Sequence, residues 1–148
     1  MESGFEFVRR VLVDRRRDPV EVLSATGCRL WVDSSTVNEM PGGGDKIEKT
    51  DVGFFSLDRG VDEERLEEEY SKHKSVPIDP YALASCHEKD LSFLVNHKTG
   101  THWKNERGVW CICRFEFKKL KNERHVDVGP RFPYRIWEKG WYFAGIRI

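Results

Sequence analysis

The chain has 148 residues, 34% of them charged and 39% apolar, with 25 basic and 25 acidic side chains and no net formal charge. That length suits one domain with one core, and the nine Phe, five Trp and four Tyr argue against a disordered chain. No apolar run approaches the roughly 20 residues of a membrane helix, and the first residues lack a secretory signal, so a cytoplasmic or nuclear protein is expected.

Charge is unevenly distributed. Residues 1–42 carry seven acids and six bases, 43–94 thirteen and seven, and 95–148 five and twelve. An acidic middle and a basic, aromatic end can attract each other within the domain, or the basic end can face an anionic partner.

In chain order, Phe5 to Asp14 is ambiguous, and Phe5, Val8, Val11 and Leu12 favour one face of a helix. Arg9, Arg10 and Arg15 to Arg17 read as solvated cations suited to a helix end. Asp18-Pro19 with Glu21 marks a helix start. Gly27 to Asp33 reads as a strand with Cys28, Leu30 and Val32 on one side and Arg29 and Trp31 on the other. Residues 34–51, centred on Pro41-Gly42-Gly43-Gly44, read as a flexible loop.

Val52 to Leu57 suits a strand. Asp62 caps a helix running to Lys74, whose thin apolar face offers Leu66 and Tyr70. Its glutamates, Glu63 to Glu69, read as a solvated surface with no catalytic role. Asp79-Pro80 opens a further short helix through Cys86.

From Leu91 onward the period is that of strands. Leu91 to Asn96, Thr101 to Lys104, Val109 to Lys118, Arg124 to Val128, Phe132 to Glu138 and Trp141 to Ile148 are candidates. In the last pair, a turn at Lys139-Gly140 sets Glu138 against Trp141, Trp137 against Tyr142 and Ile136 against Phe143. Both faces of that hairpin are apolar. The expected architecture is one α+β domain over residues 1–148. A mainly antiparallel sheet of roughly four to six strands fills the C-terminal half, packed by two to four helices from the N-terminal half.

Three constellations could carry chemistry. Trp110, Arg114 and Lys118 beside Arg135, Trp137 and Tyr142 supply cations for phosphates and rings for stacking. They define the preferred reading, a non-enzymatic domain binding RNA or a protein partner through the C-terminal sheet. His97, His102, Cys111 and Cys113 could in principle meet as a zinc site, but Cys-x-Cys is tight and both cysteines fall on the inward face, so no metal or other cofactor is expected. Finally, His102-Trp103 resembles the general-base strand of papain-like peptidases. That likeness implies, as the alternative function, a small cysteine hydrolase with Cys28 as nucleophile and His102 as general base.

Overall fold

The computed structural model describes residues 4–131 and 136–148. Among them a single eight-stranded sheet is formed by β1 (Phe7–Asp14), β2 (Arg29–Val32), β3 (Ile47–Ser56), β4 (Ser75–Pro77), β5 (Thr99–Lys104), β6 (Trp110–Lys118), β7 (Glu123–Pro130) and β8 (Tyr142–Arg147). The helices are α1 (Pro19–Ser24), α2 (Ser34–Asn38), α3 (Glu63–Lys72), α4 (Pro80–Lys89) and α5 (Phe93–Asn96). None is long and apolar enough to cross a membrane.

The strand order is β1-β3-β8-β5-β6-β7-β2, with β4 pairing β8 off that path. Most neighbours are antiparallel, but β2 runs parallel to β7 and β5 parallel to β8. The α+β class therefore holds, whereas the confinement of the sheet to the C-terminal half does not: β1, β2 and β3 come from the first 56 residues. Their pairing partners are remote in sequence, and a pattern read locally cannot register them.

Both faces of the sheet are packed. On one, Val11, Val13, Val52, Phe54, Cys113, Phe115, Val126 and Val128 form a core with residues of α1, α2, α4 and α5. On the other, Phe55, Ile112 and Phe143 pack with Leu66 and Tyr70 of α3 and with Trp137 and Trp141. This explains β8, whose neighbours along the chain serve opposite cores: Phe143 belongs to the second and Ala144 to the first. A central strand is apolar on both sides because both sides are covered.

Four local expectations are corrected. Phe5 to Asp14 is no helix: residues 7–14 pair along β3, with Val11 and Val13 buried and Val8 and Leu12 exposed. The β-branched valines suit a strand, and the long-range ladder decides between two locally balanced patterns. The arginines there meet acids across the fold, Arg10 with Asp51, Arg15 with Glu48 and Asp79, and Arg17 with Glu88. Residues 34–51 hold α2 and the first half of β3 rather than one loop. The glycine run is tied down, since Arg15 Nη1 donates to the Gly42 carbonyl at 2.8 Å and the Gly44 amide to the Arg15 carbonyl at 2.8 Å.

Leu91 to Asn96 contributes α5, not a strand. The closing hairpin is also absent: Trp137 bridges Val61, and Tyr142 pairs with Ser56 and Thr99. Phe132 to Arg135 lies outside the described residues. The starts of α1, α3 and α4 are as the sequence indicates, with Asp62 accepting from the Arg65 amide at 2.8 Å and Asp79 from the Ala82 amide at 3.1 Å.

Candidate binding site

Strand alternation sorts the site residues. On β6, Cys113, Phe115 and Phe117 pack in the first core and Cys111 shares their side by alternation, so Trp110, Ile112, Arg114, Glu116 and Lys118 face the other way. Register extends that second face across β7 and β2: Arg114 lies beside Asp127, and Asp127 beside Trp31. Toward β5 and β8 the face is roofed by α3, Trp137 and Trp141. Toward β2 no described helix covers it, and Trp31 is 50% exposed. A cleft of about 320 Å³ there is lined by Trp31, Asp33, Ile112, Arg114, Asp127 and Arg131.

The sequence-derived set divides accordingly. Trp110, Arg114 and Lys118 do share this face. Trp137 is 1% exposed and belongs to the core beneath α3. Tyr142 points to the opposite face, where its ring meets Phe7 and His97 at centroid distances of 5.5 and 5.1 Å. Arg135 lies outside the described residues. Trp31, which the sequence placed on the outer side of its strand without assigning it to the site, joins the set through the β2–β7 pairing.

Three cations of the face are already matched. Arg114 Nε meets Asp127 at 3.1 Å, Lys118 meets Glu116 at 3.0 Å, and Arg29 meets Glu123 at 3.3 Å while lying over the Trp31 ring at 5.3 Å. The face is thus an aromatic patch set in a mosaic of ion pairs, with Lys104 lying over the Trp110 ring at 4.9 Å.

At its inner border, beneath α3, stands the most concentrated polar cluster. His102 projects from β5 with no side-chain exposure, its Nδ1 2.7 Å from Glu63 and its Nε2 2.9 Å from Glu67. Trp110 stacks on the imidazole at 4.2 Å and donates its indole N–H to Glu64 at 2.6 Å. Glu63 also accepts from Trp137 Nε1 at 2.9 Å and from Arg131 Nε at 2.6 Å.

Burial disfavours charge on both members of the central pair, but the hydrogen bonds prevail. The His102 pKa is raised by Glu63 and then Glu67, and the Glu63 pKa is lowered by His102, Trp137 and Arg131. With both ring nitrogens engaged, His102 fastens α3 to the sheet.

These acids escaped the sequence reading, although a signal was present. Glu63, Leu66, Glu67 and Tyr70 recur at helical spacing, so Glu63 and Glu67 lie on the same face as the two apolar residues that must dock. The attraction of the acidic middle for the basic end is realised here, at Glu63 and Arg131.

Register also separates the other two constellations. His102 pairs opposite Ile112, one position out of step with Cys111 and Cys113, so the histidine and the cysteines face opposite sides. His97 lies among Phe93, Phe7 and Tyr142. The four do not converge, and among the described residues no other group of three or more His, Cys, Asp and Glu side chains could hold a metal ion. Cys28 sits in the first core, across the sheet from His102, and burial pushes its thiol pKa up. The cysteine–histidine dyad is therefore not assembled.

Comparison with known proteins finds no match to any family model, any curated protein or any solved structure.

Proposed function

We propose that this chain is a non-enzymatic binding domain whose open sheet face, centred on Trp31, Trp110 and Arg114, recognises a protein partner. The observation that carries the reading is the pairing of every one of the cations Arg29, Arg114 and Lys118 with a carboxylate around a half-exposed indole. A phosphate-binding face needs cations free to replace counterions, whereas a protein interface favours Trp and Arg anchors in a balanced polar surround. Protein recognition thus accounts for the charge pattern better than RNA recognition.

The test has two arms. A single-stranded oligonucleotide titrated at low salt is expected to leave tryptophan fluorescence unchanged, and salt-sensitive quenching would show the RNA reading to be the correct one. A partner cross-linked to the wild-type chain in its native cells should be lost with Trp31→Ala while circular dichroism stays the same. Capture that survives both Trp31→Ala and Arg114→Ala would overturn the assignment of this face.

A further inference from the structure

The sheet is split at the opposite end. β3 pairs with β8 only from Gly53 to Ser56, whereas its first half, Ile47 to Val52, pairs with β1 alone. From Gly145 to Arg147, β8 pairs with β4 on its other edge, and beyond Gly145 its edge toward β3 carries no strand among the described residues. The two antiparallel strands thus diverge and leave a notch of about 720 Å³.

Its lining shows that the notch lies edge-on. Consecutive residues of a strand point to opposite faces, yet Glu48, Lys49, Thr50 and Asp51 all border this one space, as do Ile146 and Arg147. Only a cavity running along strand edges, between the faces, can touch neighbours of both parities.

The hydrogen-bond phase of β3 follows from one bond. The Arg15 amide donates to the Lys46 carbonyl in register with the β1–β3 ladder, so even-numbered residues of β3 direct their backbone groups at β1. The N–H and C=O groups of Ile47, Lys49 and Asp51 therefore point into the notch. Among the described residues none of them has a hydrogen-bond partner on that side.

Side chains around the notch indicate what would fill it. Val8 and Ile146, at 53% and 37% exposed, offer apolar surface on opposite faces of the sheet. Asp51 is held by Arg10, and Glu48 and Asp79 by Arg15, whereas Lys49 has no ion partner among the described residues. One cation is left over.

We propose that this notch is a strand-addition site: an extended segment of a protein partner, apolar on both faces and carrying an acidic residue to meet Lys49, adds to the free edge of β3. Backbone pairing with Ile47, Lys49 and Asp51 gives affinity, while the two apolar walls and the unpaired lysine select the side chains. The site is separate from the Trp31 face and does not depend on it.

The probes are dodecapeptides selected on the wild-type chain from a random displayed library, with binding measured by fluorescence polarisation. Selected peptides are expected to alternate apolar residues and to include an acid, and to protect the Lys49 and Asp51 amides from hydrogen exchange. Lys49→Pro removes the notch-facing N–H without touching the β1 ladder, so it should weaken binding about tenfold or more. Lys49→Ala, which keeps the N–H, should cost only a few-fold, and Trp31→Ala should cost nothing.

Failure to enrich any peptide, or equal binding to the proline variant, would overturn the proposal. Enriched peptides whose binding is abolished by Trp31→Ala would place recognition on the other face and overturn it as well. A wild-type dimer in sedimentation that Lys49→Pro dissociates would replace the partner segment with a second copy of this chain.

Discussion

The Glu63 carboxylate meets Nδ1 of His102 at 2.7 Å, with the two side chains 5% and 0% exposed. Neither residue could be buried alone. Glu63 is compensated by His102, Arg131 and Trp137 together, so a single helix residue ties α3 to β5, to the end of β7 and to the segment preceding β8.

Replacing Glu63 should be costly out of proportion to its size. Glu63→Gln keeps the volume but removes the carboxylate that Arg131 and His102 share, with Glu67 still on the imidazole, and the expected loss is about 3–5 kcal/mol. Denaturant midpoints of the variant and wild type measure it. An effect below about 1 kcal/mol would mean that α3 is held by apolar packing alone.

Two histidines should give the stability curve opposite slopes. The pKa of His102 is raised on folding, so its contribution is complete below the unfolded value, near 6.5, and fades as pH rises through the folded value. His87 is the reverse. Burial first, then the charge of Arg124, lowers its pKa to about 3; its Nε2 meets the Thr99 hydroxyl at 2.7 Å, and its ring stacks on Phe115 at 4.3 Å.

The unfolded chain takes up a proton at His87 below about pH 6.5 that the folded chain refuses until about 3, so stability falls in that window by up to about 1.4 kcal/mol per pH unit. His87→Gln should flatten the acid limb, and His102→Gln the alkaline limb. Chemical denaturation at pH 4, 6 and 8 separates them. Unchanged slopes in both variants would contradict the assignment.

Gly100 should tolerate no side chain. A methyl group there would run into the six-membered ring of the Trp137 indole. The indole is anchored by its hydrogen bond to Glu63 and walled by Trp141 and Phe143, each with its ring centroid 5.3 Å away, so it has little room to yield. Gly100→Ala should therefore cost about 1–3 kcal/mol by overpacking. Thermal melting gives the comparison, with Gly108→Ala unsuitable as a control because its φ of +76° is itself a strain on alanine.

Cysteine labelling tests the absence of an activated thiol. Burial raises the pKa of Cys28, Cys111 and Cys113, and that of Cys86 to about 12, so each is held as the neutral thiol. Iodoacetamide at neutral pH should modify all four slowly in the native chain and rapidly after unfolding. A single fast site would reveal a thiolate that this packing does not provide.

Where sequence reading succeeded, the signal was short-ranged. The aspartates at 18, 62 and 79 announce helices because a carboxylate can satisfy an amide three residues on whatever the rest of the chain does. The shared face of Trp110, Arg114 and Lys118 follows from strand alternation alone, although that face is itself packed at Ile112 beneath α3.

Where it failed, the deciding partner was distant. Phe7 to Asp14 has a strand neighbour some forty residues away, and its own period cannot choose between helix and strand. Ile47 to Asp51, the start of β3, looked like part of the loop centred on the Pro41-to-Gly44 run, because none of its side chains is buried and it shows no apolar side. Trp137 looked like a binding residue because an indole in a basic stretch suits an interface equally well. Only the placement of α3 over it made it core.

The sequence by itself determined the starts of α1, α3 and α4, the alternation of sides along β2 and β6, and the apolar character of the closing stretch, all products of local hydrogen bonding and side-chain alternation. The tertiary structure decided that β8 is a central strand, that the acids of α3 answer Arg131 and His102, that Cys28 and His102 lie on opposite faces, and that the sheet splits between β3 and β8. Each depends on which strands become neighbours, and that choice minimises exposed apolar surface and unpaired charge over the whole chain at once, a sum that no short window of residues contains.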